Sequence, residues 1–415
     1  MKLSSFTAAA LSTSTMLSTP VHADPLSEVA IAQLDQAIES AISERRIAGA
    51  VVLVAKDGEI VFRRAAGLAD IDGGVEMRED TIFRFTSVSK PIVTAAAMRL
   101  VEMGLLDLDA AVTDWLPQFH PQFEGTSPDI TLRQLLSHSS GIGYTADEGG
   151  SGPYTEAGVQ DGGFGTGITL EENLARLASA PLRFAPGTGW NYGLGIDVIG
   201  RVIEVATQEP IEVAVRDLVT EPLNMHDTVY HVPAWDNDRL AVNYQDGADG
   251  PVLIEDDVPV PLGPYSVKFE PSRVTDPDAW PSSGAGMAGT ADDVMKLLLA
   301  LTKQDGFLDG AMAEQMMTPQ TEAAPLIDMW IDLYAGLPKT GAAWGFGLGG
   351  AVLIDPALAN TPQSAGTLSW TGAYGNTWFV DPAENLVVVA LTNTAWEGIY
   401  GTFPHEIRDA VYATE

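Results

Sequence analysis

The chain has 415 residues, 46% of them hydrophobic and 19% charged, a mixture too apolar for a disordered protein and long enough for more than one lobe around a sizeable core. Acidic residues outnumber basic ones 56 to 22, the net charge is −34, and only seven lysines occur. A phosphate backbone or an anionic membrane face needs clustered Lys and Arg, so a nucleic-acid partner is excluded. The absence of cysteine excludes disulfides, thiolate metal sites and a cysteine nucleophile.

Lys2, a moderately apolar stretch from Leu3 to Leu17 and the small-x-small segment Val21-His22-Ala23 predict a secretory signal over residues 1–23. The mature chain, 24–415, is then expected in the periplasm or outside the cell. No apolar run of about 20 residues follows, so the sequence predicts no further membrane span. Val29, Ile31, Leu34, Ile38 and Ile42 fall at helical spacing behind Ser27, a plausible N-cap. Ala50–Ala55 and Ile60–Ala65 predict two strands joined at Asp57-Gly58, a strong hairpin signal.

The middle of the chain predicts helices over Lys90–Met103, Leu170–Ala178, Ile196–Ala206 and Asp292–Leu301. Two segments break this pattern: 141–168 is rich in Gly and polar residues, and 231–281 in Asp and Pro. Loops of that length in a compact protein are usually functional or mobile. Near the C-terminus Thr377–Val380 and Leu386–Leu391 predict strands, the second apolar on both faces as a covered central strand should be. A last amphipathic segment runs from about Pro404 to Ala413. The expected architecture is therefore mixed α/β (α+β): one central antiparallel sheet built from both chain ends, flanked by helices, with a large inserted helical lobe. The α/β part is expected at about 24–85 and 340–415, and the helical lobe at about 86–339.

The motifs G-x-S-x-G and H-E-x-x-H are absent, and no histidine pair has metal-ligand spacing. No metal or cofactor is expected. Gly345-Phe346-Gly347-Leu348-Gly349-Gly350 fits G-x-G-x-x-G literally, but an extended segment follows it where a dinucleotide site needs a helix. One motif stands out. Ser87 and Lys90 in Phe85-Thr86-Ser87-Val88-Ser89-Lys90-Pro91 form S-x-x-K, and no other lysine has a serine three residues before it. Positions i and i+3 share one helix face, and Pro91 is tolerated only in a first turn, which puts Ser87 where the helix begins. A helix start favours developing negative charge on oxygen, and a buried Lys90 could take the hydroxyl proton.

With Phe83-Arg84 before this motif, and with Leu100–Leu108, Leu135-Leu136-Ser137-His138-Ser139-Ser140-Gly141, Glu221–Thr228 and Gly284–Asp293 after it, the chain resembles the serine β-lactamase-like superfamily over nearly all its mature length. That superfamily includes class C β-lactamases and DD-peptidases, and the family VIII carboxylesterases are the nearest match. The resemblance implies a β-lactamase/DD-peptidase-like fold and an acyl-enzyme on Ser87, assisted by Lys90 and a tyrosine. Two tyrosines compete. Tyr374-Gly375-Asn376 spells the family's Y-x-N but lies in a predicted strand region. Tyr192-Gly193-Leu194 keeps only the tyrosine, yet its flanks match, and it is the choice here. For the third motif Lys339-Thr340-Gly341 is literal, but Trp370-Thr371-Gly372 stands where the esterases carry W-G-G and is preferred. The backbone N–H groups of Ser87 and Ala373 would then form the oxyanion hole. Tyr144, Trp370, Thr371, Gly372 and Leu194 are expected to bind substrate, and Asp197 to be no more than a helix N-terminal acid.

The resemblance thus implies a serine hydrolase of small-molecule carboxylic esters, short-chain ones in particular. Trp370 and Leu194 stand where lactamases hold a carboxylate with lysine and an amide with asparagine, which favours neutral esters. The same fold also serves β-lactamases, DD-peptidases and acyltransferases, and a catalytically silent acidic binding protein is the alternative of a different class.

Overall fold

The computed structural model describes residues 26–165, 167–262, 265–302, 306–321 and 343–414. The predicted signal and Lys339-Thr340-Gly341 lie outside them. Among the described residues eight strands form one sheet: β1 (Gly49–Lys56), β2 (Glu59–Asp70), β3 (Val75–Glu76), β4 (Trp344–Phe346), β5 (Ala351–Leu353), β6 (Leu368–Gly372), β7 (Asn376–Asp381) and β8 (Leu386–Thr392). Their order is β4-β5-β6-β7-β8-β1-β2-β3, and every pairing is antiparallel. The two chain ends meet where β1 pairs with β8, Val52 opposite Ala390 and Val54 opposite Val388. Gly345–Gly350 spans β4 and its turn into β5, as the extended segment after it required.

The sheet is covered on both faces, and residue alternation decides which side chain serves which. Ala50, Val52 and Val54 of β1, with Leu386, Val388 and Ala390 of β8, pack on helices α1 (Glu28–Ser43) and α7 (Thr402–Val411). Val51, Leu53 and Ala55, with Val387, Val389 and Leu391, face the main core shared with the helical lobe. Each fully buried Val or Leu contributes roughly 1.5–3 kcal/mol, so a run apolar on both faces is held in the middle of the sheet. Ser27 caps α1 as expected, accepting from Ala30 N–H, and its hydroxyl donates to the Ala413 carbonyl to tie the terminal helices together.

The helical lobe contains α2 (Ser89–Glu102), α3 (Leu170–Ser179), α4 (Gly195–Thr207), α5 (Ala291–Thr302) and α6 (Gly310–Met317). α2 is buried along most of its length, including Lys90 and Pro91 at its start. The two irregular segments are not featureless. Residues 141–168 hold a 3-10 turn and a short helix at Pro153–Ala157, and 231–281 hold the paired strands Pro259–Leu262 and Tyr265–Lys268. Both segments contribute walls to the cavity above Ser87. Among the described residues no helix is long and apolar enough to cross a membrane.

Candidate active site

Ser87 sits in a single 3-10 turn, Thr86–Val88, between the short strand Phe83–Arg84 and α2. The helix proper therefore begins two residues later than the motif alone suggests. Thr86 is forced to φ +43°, a left-handed conformation that costs a β-branched residue of order 1–3 kcal/mol and must be held by its surroundings. They do hold it. Phe85 N–H donates to the Met287 carbonyl, Met287 N–H donates to Ser89 Oγ, and Phe83–Arg84 pairs with Ala288–Gly289. On the other side β6 crosses the turn so closely that a Cβ at Gly372 would lie 2.1 Å from the Phe85 carbonyl oxygen. No side chain fits there. The glycine of Trp370-Thr371-Gly372 is thus a spacer against the turn that carries Ser87, not a surface offered to substrate.

Two polar side chains converge on the serine. Lys90 Nζ donates to Ser87 Oγ at 3.1 Å and to the Gly284 carbonyl at 2.7 Å. Tyr192 Oη donates to Ser87 Oγ at 2.7 Å and accepts from Trp370 Nε1 at 3.1 Å. Lys90 Nζ also lies 4.7 Å from the Tyr192 ring centroid, where the negative π-face favours a cation. Its side chain is 0% exposed, so its polar end depends on these few partners. The literal alternative, Tyr374, is elsewhere: its ring packs on Phe269 at 4.8 Å, and its buried hydroxyl has no hydrogen-bond partner.

Tyr192 is held by aromatic neighbours and by a tight backbone contact. Its ring meets His138 at 4.6 Å, Trp370 at 5.1 Å and Tyr144 at 5.3 Å. A Cβ at Gly193 would stand 2.4 Å from the Ile142 carbonyl oxygen, so only glycine lets this loop close on the 141–143 segment. Gly193 N–H donates to His138 Nδ1 at 3.3 Å, and Asn191 N–H to the His138 carbonyl at 2.9 Å. Burial, then the charge of Lys90, pushes the His138 imidazole well below its usual range. It is neutral, with Nδ1 free to accept. In the sequence His138 is only one letter of a motif; in the fold it fixes the Tyr192 loop.

The site opens into a cavity of about 400 Å³. Ser87, Tyr144, Tyr192, Trp370, Thr371 and Ala373 all line it, while Leu262, Val267, Phe269 and Ile399 supply an apolar wall. Tyr144 stands where expected, its backbone carbonyl accepting from Arg183 Nη2 at 2.8 Å. Leu194 does not. It is completely buried in the main core at the start of α4, and helical geometry turns it away from the cavity. The amide beside the tyrosine comes instead from Asn191, which lines the cavity and donates to Asp147 and to the Tyr192 carbonyl. Asp197 also exceeds its expected role: it is buried at the start of α4 and bound to Ser282 and Gly284. Among the described residues no group of His, Asp and Glu is arranged to hold a metal ion.

A Ser-x-x-Lys turn beneath an antiparallel sheet, with a tyrosine from the helical lobe closing on the serine, defines the serine β-lactamase-like class. The chain belongs to the β-lactamase family, whose signature matches residues 34–398. It is similar to Esterase EstB of Burkholderia gladioli, 49% identical over 386 residues that cover 92% of this chain and 95% of that protein. The monacolin J acid methylbutanoyltransferase of Aspergillus terreus is 26% identical over 393 residues, 86% of this chain and 89% of that one. Among solved structures, EstCE1, a hydrolase with promiscuous acyltransferase activity, superposes with a TM-score of 0.87 at 41% identity, covering 93% of this chain and 99% of its own. The resemblance to the family VIII carboxylesterases read from the sequence therefore holds.

Proposed function

We propose that this chain is a serine carboxylesterase that cleaves short-chain carboxylic esters through an acyl-enzyme on Ser87. The observation that carries this reading is the convergence of Lys90 and Tyr192 on one hydroxyl at the floor of a largely apolar cavity. Ser87 Oγ attacks the ester carbonyl while its proton passes to the Lys90–Tyr192 pair. The carbonyl oxygen takes up the electron pair between the N–H groups of Ser87 and Ala373, a contribution of roughly 10²–10³-fold per donor. Collapse expels the alcohol, which takes the proton back. Water then releases the acid by the same route, and no cofactor is required.

Substrate class follows from what faces the serine. Where lactamases present a cation, Trp370 offers an indole whose N–H is already engaged by Tyr192. That arrangement does little to offset the desolvation of a substrate carboxylate. Apolar acyl or alcohol groups gain about 25 cal/mol per Å² buried against the wall. The expected outcome is kcat/KM for a neutral butyrate aryl ester at least ~100-fold above that for a penicillin, a gap of about 2.7 kcal/mol. Comparable efficiencies would overturn the esterase reading in favour of a lactamase with unusual motifs.

A second activity, acyl transfer to an alcohol, is supported by the apolar wall of Leu262, Val267, Phe269 and Ile399, which can seat an alcohol where water would otherwise attack. Formation of a new ester in the presence of an apolar alcohol tests it; hydrolysis alone at all alcohol concentrations would exclude it. The leader at 1–23 makes the enzyme an exported one in this reading, and an exported chain whose mass starts after Ala23 is the expected result.

A further inference from the structure

Behind Ser87 lies a carboxylate that the steps above do not use. Asp197 is 1% exposed. Its Oδ1 accepts from the Ser282 hydroxyl at 2.7 Å and from Gly284 N–H at 3.2 Å, whereas its buried Oδ2 has no hydrogen-bond partner. The same Gly284 offers its carbonyl to Lys90 Nζ. A Cβ built on Gly284 would stand 2.7 Å from Asp197 Oδ2 and 3.4 Å from Lys90 Nζ, so carboxylate and ammonium are at most 6.1 Å apart (2.7 + 3.4 Å) across the bare face of that glycine.

We propose that Asp197 is a positioning residue, the buried counter-charge that keeps Lys90 an ammonium in the resting enzyme and so leaves the proton of Ser87 to Tyr192. The proposal rests on the Ser87–Lys90–Tyr192 reading above. The charges around the pair support it. Lys90 faces Ser87, the rings of Tyr192 and Tyr144, neutral His138 and Asp197. Asp197 interacts with Lys90 and Arg273, and with Tyr144 and Tyr230, whose hydroxyls burial keeps protonated. Asp197 is therefore the one carboxylate in that set. Burial pushes its carboxyl up, while Ser282, Lys90, Gly284 and Arg273 favour the charged form. A buried carboxylate with an unbonded oxygen persists only with a cation close by.

The resting pair, ammonium and phenol, gives one proton to solvent to reach the reactive state, in which Lys90 and Tyr192 share one labile proton. It lies either on the phenol, with a neutral amine, or on the amine, with a phenolate. A negative charge nearer the lysine favours the second arrangement. The phenolate then accepts from Trp370 N–H and removes the Ser87 proton as the Oγ–carbon bond forms. The resulting phenol returns that proton to the leaving alcohol as the carbon–oxygen bond breaks. Protons and charge balance without any further reactant.

The test compares pH profiles of kcat/KM for a neutral ester. Removing a charge that lies within 6.1 Å of Lys90 Nζ in Asp197→Asn should move both limbs to lower pH by about one pH unit or more and lower kcat at neutral pH at least ~10-fold. Ser282→Ala removes a hydrogen bond but keeps the charge, so its limbs should stay within about 0.3 pH unit of wild type whatever its thermal stability. An unshifted Asp197→Asn profile overturns the proposal. A readout independent of that variant's folding is ¹³C NMR of lysine-labelled wild-type protein, where the Lys90 ε-carbon should report an ammonium at pH 7. A neutral amine there overturns the proposal equally. Turnover surviving in Ser87→Ala would instead remove the catalytic reading itself; a dead Ser87→Ala beside an unshifted Asp197→Asn removes this proposal alone.

Discussion

Tyr192-Gly193-Leu194 and Tyr374-Gly375-Asn376 spell nearly the same tripeptide and have opposite surroundings. The first sits on a loop that closes against the Ile142 carbonyl and His138, and its phenol reaches Ser87 Oγ at 2.7 Å. The second lies in the turn between β6 and β7, and its phenol is buried among Phe269 and Trp396 without a partner. Asn376, which makes the second tripeptide literal, donates its side-chain amide to the Arg84 carbonyl and helps pin the strand before the nucleophile. The lesson is that a motif's letters matter less than where the backbone delivers them. A structural asparagine can complete a pattern whose tyrosine lies away from Ser87.

The sharpest way to break this contrast is substitution on both sides of it. Tyr192→Phe should lower kcat by roughly 10²–10⁴-fold, the range for a positioned acid–base group. Tyr374→Phe removes a hydroxyl that bonds nothing and should leave ester turnover within about 2-fold. Lys90→Ala should match Tyr192→Phe, and Lys339→Ala should be far milder. If steady-state kinetics rank either pair the other way, the choice of motif is wrong.

A smaller effect is expected at the spacer. Gly372→Ala places a methyl against the Phe85 carbonyl oxygen and must push β6 away from the nucleophile turn. It should reduce kcat about 10-fold or more where the Ala373 N–H acts as the oxyanion donor proposed above, since a misplacement of about 1 Å can cost as much as 10²-fold. The loss should be in kcat rather than KM. An Ala variant with wild-type kcat would show that β6 and the turn are not as closely coupled as their approach implies.

A separate effect, on stability and its pH dependence rather than on turnover, concerns Asp161, under the loop that carries Tyr144. Burial pushes its carboxyl up to about 6, against hydrogen bonds from Thr145 and Ala146. Because the folded value exceeds the unfolded one, the group's stabilising contribution is full at low pH and is lost as pH rises through about 6. The stability of wild type relative to Asp161→Asn should therefore fall by up to about 3 kcal/mol between pH 4 and pH 7. Thermal or denaturant unfolding across that range checks it; a difference independent of pH would contradict the assignment.

Much of the frame was legible because its signals are local or strongly patterned. The doubly apolar run of β8, the Asp57-Gly58 hairpin and the capped first helix each follow from a few adjacent residues, and they place both chain ends in one sheet. Ser87 and Lys90 were legible for the same reason, three residues apart on one turn. The rest of the site comes from groups brought together over long separations. Asp197 reads locally as a helix N-terminal acid, and only the arrival of Ser282 and Gly284 gives it a second role. Leu194 stands where the family motif has an asparagine, but as the residue just before α4 it is buried in the core. Asn191, one residue before the tyrosine, supplies the amide instead. No spacing rule distinguishes those two positions; the direction of the backbone does.

Covalent labelling decides whether Ser87 is the nucleophile. Wild-type protein should react with a fluorophosphonate in one-to-one stoichiometry, with loss of ester turnover, and peptide mass spectrometry should place the adduct on Ser87. Ser87→Ala should neither label nor turn over while melting near the wild-type temperature, since a side-chain change of this size at a helix start costs only about 1 kcal/mol. An adduct on any other serine, or turnover persisting in Ser87→Ala, would contradict the account.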